Sequence, residues 1–307
     1  MLLYESNQIL VNNTILDSAN ILVTDLDSMN LFHDFDIAGF LGTDLILNNI
    51  LSINYNTYTL EIKNQYKPSS KDCILNINRL EDGFLHSLPF VRLTSSIKGN
   101  TELNGLFLFD TGAAATIVFS SHVSRMIKPV TLFSKSTKIM GMGASKSGFI
   151  NLAQIDAIKI QNKNFDSIPA SFSNATAGIL SAPEHNGILG NEIIKRFYCT
   201  LDMTNGKIYL SPNKLYNNQF TVNCSGLQVR YESLKKENII IHYIAEKSPA
   251  ADSGLLKNDR IIFVNGKKIN TLKEIRQILS EPNKEISIEI IRNGNKHTVT
   301  FTTEKPI

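Results

Sequence analysis

A carboxylate follows directly on an apolar run in Phe107-Leu108-Phe109-Asp110-Thr111-Gly112-Ala113. These residue types suit acid–base chemistry on a water molecule. The run predicts a buried strand, after which Gly112 lets the chain turn and bring a backbone N–H toward the carboxylate. Thr111 offers a hydroxyl to anchor the turn, and Ala113 leaves room around it. A carboxylate at the end of a buried strand is poorly screened and responds strongly to a second acid nearby. The same residue types also close ordinary surface turns, so the surrounding chain has to decide between the two.

Competing constellations are weaker. The six histidines (His33, His86, His122, His185, His242, His297) include no His-x-x-x-His pair, and no metal site is expected. Gly141-Met-Gly-Ala-Ser145-Lys146-Ser147 has Ser where a phosphate loop needs Gly before the Lys. Ser120-Ser121-His122 cannot form a nucleophile–base pair by adjacency, and Ser120 reads better as a helix N-cap. Asp25, Asp27, Asp34 and Asp36 lack metal-loop spacing and are expected in a solvated loop, while Cys199 reads as a core residue.

The elements that must position Asp110 are mostly strands, with β-branched or alternating runs over residues 150–160 and 200–210 and Gly or Asn turns between them. Helices are expected over residues 120–126 and 192–197. The chain also repeats itself. Residues 36–62 align with 184–210 at a constant offset of 148, placing Gly39 on Gly187, Leu41 on Leu189, Gly42 on Gly190 and Ile46 on Ile194. Upstream, Ile9, Val11, Asn13, Asp17 and Ser18 fall on Ile158, Ile160, Asn162, Asp166 and Ser167 at offset 149. The second copy extends further back, to about residue 88, and contains Asp110; the first has no equivalent carboxylate. Asp17-Ser18-Ala19 is no substitute, because it lies 22 residues before Gly39 and matches Asp166-Ser167 in the other copy.

Asp110-Thr111-Gly112-Ala113, followed 77 residues after Asp110 by Gly187-Ile188-Leu189-Gly190, resembles the retropepsin-like and pepsin-like aspartic peptidases. The resemblance implies a mainly β fold of aspartic-peptidase (acid protease) lobes: a partial first lobe at residues 1–66, a linker at 67–87 and a complete lobe at 88–212. It implies that Asp110, Thr111 and Gly112 form the catalytic turn and that Gly187, Ile188, Leu189 and Gly190 support it. Met140, Gly141, Met142 and Gly143 would form a flap over a polypeptide substrate. Two carboxylates about 3 Å apart would share a proton, one activating water and the other protonating the scissile carbonyl. No metal or organic cofactor is implied. The second carboxylate would come from a segment preceding Met1 or from Asp110 of a partner in a homodimer. Without it, the lobes are a non-catalytic scaffold.

After a linker at 213–224, residues 225–307 hold Ser248-Pro-Ala, Ser253-Gly-Leu, Asp259-x-Ile and Val264-Asn-Gly, then a Thr271-x-x-Glu274 capping box and an Asn293-Gly294 hairpin turn. This order resembles bacterial PDZ domains, with Asn258 where that family has Gly; Asn tolerates positive φ. The resemblance implies a peptide groove between Gly226, Leu227, Gln228, Val229 and the helix at 271–280, taking a protein's C-terminal tail or serving as an intramolecular docking surface.

Composition narrows the classes further. The chain has 307 residues, 42% hydrophobic, with 31 basic against 28 acidic side chains for a net charge of +3. That charge is too small and too dispersed for a nucleic-acid partner. No apolar run reaches the roughly 18 residues of a membrane span. Three cysteines (Cys73, Cys199, Cys224) cannot close a disulfide framework. The first residues show neither a basic nor an apolar signal-peptide region, which leaves the compartment open; export is expected only if a leader precedes them.

Overall fold

The computed structural model describes residues 2–11, 14–47, 49–81, 83–99, 101–142 and 147–307. Along the chain, β1 (Leu2–Val11) and β2 (Thr14–Val23) form an isolated hairpin, followed by α1 (Asp27–Asn30) and α2 (Asp44–Leu47). Three strands come next, β3 (Ile50–Asn54), β4 (Thr59–Lys63) and β5 (Cys73–Asn76). The body of the second copy holds β6 (Phe90–Lys98), β7 (Thr101–Phe109), β8 (Ile117–Phe119), α3 (Ser121–Ile127), α4 (Pro129–Leu132), β9 (Thr137–Met142), β10 (Ser147–Ile160), β11 (Lys163–Ser173) and β12 (Gly187–Leu189). It closes with α5 (Asn191–Ile194), β13 (Phe197–Asp202) and β14 (Lys207–Pro212).

One sheet runs β11-β8-β12-β7-β6-β10-β9, with β10 also pairing β11, so the sheet folds back on itself. Inside it, alternation sends Phe107, Phe119 and Phe172 into the core, where Phe119 and Phe172 stack at 4.9 Å. Each fully buried ring contributes about 1.5–3 kcal/mol. The N-cap reading of Ser120 holds, its hydroxyl accepting from the Val123 amide at 3.5 Å.

A second sheet, β4-β3-β13-β14-β5, joins the two copies. Shifting β3 and β4 by 148 residues gives β13 and β14, and β3 pairs antiparallel with β13 so that Ser52 faces Thr200. The two hydroxyls lie 2.8 Å apart across 148 positions of sequence. The repeat thus becomes a local two-fold axis through this pair. Likewise β1–β2 matches β10–β11, and α2 matches α5. Residues 39–41, however, form no strand, and Phe40 and Leu41 are exposed, whereas their equivalents Gly187–Leu189 are inserted between β7 and β8.

Two stretches read as linkers are built into the fold. Residues 67–87 contain β5, which pairs with β14 by burying Cys73 and Leu75 on one face. Residues 213–224 are strapped down by Arg196, only 3% exposed, whose guanidinium donates to the carbonyls of Leu215 and Tyr216 at 3.2 Å and to that of Asn218. Its Nε donates to the Glu192 carbonyl at 2.9 Å, and the group lies 3.8 Å from the Phe220 ring centre. Arg196→Ala takes away the shared donor of these partly buried carbonyls, and we expect a loss of about 2 kcal/mol in chemical denaturation.

The C-terminal region forms its own core with β15 (Leu227–Tyr231), β16 (Ile239–Ile244), β17 (Arg260–Val264), β18 (Lys267–Lys268), α6 (Leu272–Leu279), β19 (Glu285–Arg292) and β20 (Asn295–Thr302). The capping box on α6 is present, and Asn258, Asn293 and Gly294 all have positive φ as their turns require. Among the described residues no helix is long and apolar enough to cross a membrane.

Candidate functional site

Asp110 leaves the end of β7 where β12 threads between β7, parallel, and β8, antiparallel. Its backbone N–H donates to the Leu189 carbonyl at 3.0 Å, and its carboxylate accepts the Gly112 N–H at 2.8 Å. Asp110 is half-buried, while Thr111 and Gly112 are exposed. The Thr111 hydroxyl, expected to anchor the turn, bonds no described residue; the backbone does that work instead. Ala113 and Ala115 carbonyls accept the amides of Asn191 and Glu192 at 2.8 and 3.0 Å, and Gly190 N–H donates to Thr116 at 2.9 Å. Gly187, Ile188, Leu189 and Gly190 therefore sit against the Asp110 loop. Tyr55, from the first copy, reaches the same loop through Asn191 Oδ1 at 2.6 Å. Among the described residues no second carboxylate contacts Asp110.

Met140, Gly141 and Met142 lie on β9 in the β9–β10 hairpin; Gly143 falls outside the described residues. The outer edge of β9 is held by the C-terminal domain. Gln228 accepts from the Met140 N–H and donates to the Met140 carbonyl, both at 2.9 Å, as a neighbouring strand would. His242 Nε2 lies 3.1 Å from the Met140 sulfur, and the Tyr243 hydroxyl donates to the Lys138 carbonyl at 3.3 Å. Between the domains lies a cavity of about 620 Å³, lined by Ala114, Thr116, Phe133, Gly226, Gln228 and Ser248 among others.

Of the residues expected to form the peptide groove, Gly226 turns at φ +83° against Ser248, Leu227 and Val229 point into the core, and Gln228 faces β9. The groove between β15 and α6 runs from the Gly226 end, where Cys224 N–H meets the Leu279 carbonyl, to the Tyr231 end beside Leu272. At that second end Asp34 is exposed, as its sequence context suggests, yet its carboxylate is fully engaged. It accepts from the Tyr231 hydroxyl at 2.6 Å and from the Leu272 and Lys273 amides at 2.7 and 3.0 Å. Burial alone would raise the Asp34 carboxyl, but these donors and the Arg276 guanidinium bring it below the usual carboxylate range. Asp36 pairs with Lys236 at 2.6 Å and remains exposed, as expected. Among the described residues no group of acidic, His and Cys side chains could hold a metal ion.

The histidines have other work. His185 is buried with its ring nitrogens 3.1 Å from the Gly187 carbonyl and 2.8 Å from that of Ile179. His86 lies on the Leu80 carbonyl at 3.0 Å. Among the described residues no histidine hydrogen bond joins a serine hydroxyl to an aspartate. Burial lowers the imidazole pKa of His33, His185 and His242. The unfolded chain then binds more protons than the folded one below the ordinary histidine pKa near 6.5, so folding stability falls as pH drops through that value. Thermal melts are expected to shift down between pH 7 and pH 5.

Residues 225–303 match the PDZ domain family, and the chain is a mainly β protein that carries a PDZ domain. Over 220 residues it is 26% identical to the serine endoprotease DegS of Haemophilus influenzae, covering 65% of this chain and 63% of that protein. The chain spans 16%, 18% and 63% of the curated relatives it matches. Among solved structures it is similar to a retropepsin-like aspartic protease from Rickettsia conorii, at 16% identity and TM-score 0.32, over 48% of this chain and 97% of that one. It is also similar to a serine endoprotease from Yersinia pestis, at 13% identity and TM-score 0.27, over 84% of this chain and 94% of that one.

Proposed function

We propose that this chain is an endopeptidase of the aspartic type whose PDZ domain handles peptides. The reading rests on one observation: Asp110 emerges beside a Gly187–Leu189 strand threaded between β7 and β8, with the Gly112 N–H on its carboxylate. A water held by such a carboxylate can attack a peptide carbonyl when a second acid supplies the proton. That acid would come from a segment preceding Met1 or from Asp110 of a second copy. The edge of β13 is already taken by β3, so two copies must meet on other surfaces. Similarity to DegS supports a protease that carries a PDZ domain, while the histidine environments give a serine mechanism no triad among the described residues. The lobe boundaries read from the sequence, with a partial lobe at 1–66 and a complete one at 88–212, belong to this proposal. The second reading, a scaffold without cleavage, is favoured by the single carboxylate at the site.

The test is cleavage of a denatured protein from pH 4 to 8, with a transition-state isostere of the aspartic class in one arm and a serine-reactive fluorophosphonate in the other. Inhibition by the isostere alone is expected. Inhibition by the phosphonate alone would overturn the mechanism, and a folded chain without cleavage would leave the scaffold.

A further inference from the structure

We infer that the groove between β15 and α6 binds an internal, acidic peptide segment rather than a chain terminus, and that residues 31–36 of this same chain occupy it. The inference rests on the peptide-handling half of the proposed function and not on the catalytic half.

The loop that would take a terminal carboxylate has no amide to offer. Asn223 Oδ1 accepts the Ser225 and Gly226 N–H groups at 2.9 and 3.1 Å and the Ser225 hydroxyl at 2.8 Å. The Ser225 hydroxyl oxygen in turn accepts the Leu227 N–H at 3.0 Å. A carboxylate arriving there would have to displace two side chains that already satisfy every one of these donors.

At the other end the groove is filled. From the turn that ends α1, the Leu31 carbonyl accepts the Tyr231 N–H of β15 at 2.8 Å, and the Leu31 side chain packs against the domain core. Arg276 of α6 donates to the Phe32 carbonyl at 2.9 Å, and the Phe32 ring meets His242 edge-on at 5.0 Å. Three residues after Leu31, the Asp34 carboxylate takes the first two amides of α6 and the Tyr231 hydroxyl. Thr271 already accepts the Glu274 amide, so Asp34 complements the cap without competing for it. Asn30 closes the loop by accepting from Ile37 N–H at 2.7 Å and donating to its carbonyl at 3.3 Å. The recognised pattern is an apolar residue followed three positions later by an acid.

The experiment is fluorescence anisotropy with a labelled, amidated hexapeptide of the sequence at residues 31–36, titrated into the full chain. The wild type is expected to bind weakly because its own segment is in place. Asp34→Ala should raise affinity about tenfold or more, since the lost contacts are charge-assisted hydrogen bonds. Asn30→Ala, which loosens the loop without touching the groove, should act in the same direction, with thermal melts confirming that both variants fold. Replacing the peptide's first aspartate by asparagine should lose the gain. Equal affinity in wild type and both variants overturns the inference. Preferential binding of a tail peptide with a free terminal carboxylate also overturns it while leaving the domain a peptide binder. Failure of every peptide removes both.

Discussion

Replacing Asp110 by asparagine is expected to lower peptide cleavage about a thousandfold while leaving the fold unchanged. Removing a positioned acid–base group costs on the order of 10²–10⁴ in rate, and asparagine keeps both the shape and the oxygen that accepts the Gly112 N–H at 2.8 Å. Far-ultraviolet spectra and the melting temperature should therefore match the wild type, separating chemistry from folding. Mixing the two proteins at fixed total concentration adds a second readout. If each copy supplies one Asp110 to a shared site, activity falls as the square of the wild-type fraction. If the second acid is not another copy's Asp110, it falls linearly. Retained cleavage in the variant would remove Asp110 from the mechanism altogether.

What was legible in the sequence was local or repeated. The capping box on α6, the Asn293-Gly294 turn and the Ser120 cap each depend on residues a few positions apart, so their spacing carries the signal. The offset of 148 was equally legible, and it turned into the pairing of Ser52 with Thr200. Residues 39–42 mark where repetition stops being informative. They copy the glycines and the leucine of 187–190, but a three-residue strand exists only where neighbours accept it. Gly187–Leu189 has β7 and β8, while 39–41 has no strand beside it among the described residues.

The contacts of Asp34 were out of reach for a different reason. Its partners Tyr231 and Leu272 lie 197 and 238 positions away, and no local pattern distinguishes an aspartate that will cap a remote helix from one in solvent. Gln228 is similar: it occupies an outward position on β15 that a sequence reading assigns to peptide contact, and it grips Met140 of β9 instead. The C-terminal domain thus holds the two copies at two points, residues 31–36 of the first and β9 of the second. Together with the Arg196 strap over 213–224, these contacts fix the domain against the body of the chain.

Gly187→Ala is expected to cost about 4 kcal/mol or more, well beyond the roughly 1 kcal/mol range of ordinary glycine–alanine exchanges. A Cβ at position 187 would stand 1.9 Å from the Val118 carbonyl oxygen and 2.9 Å from its carbon. Both are backbone atoms of β8 paired on β12, so neither can swing aside as a side chain would. The backbone at φ +151° is itself unfavourable for an L side chain. Relief would require β12 to withdraw from between β7 and β8. That would break the parallel register with Phe107 and the bond from Asp110 N–H to the Leu189 carbonyl. The Asp110 turn would lose its support together with the core around Leu189. Chemical denaturation should show the loss in the midpoint, and cleavage should fall with the folded fraction, unlike in Asp110→Asn. A Gly187→Ala protein of normal stability would mean that β12 is not clamped between its neighbours, and the placement of Asp110 would fail with it.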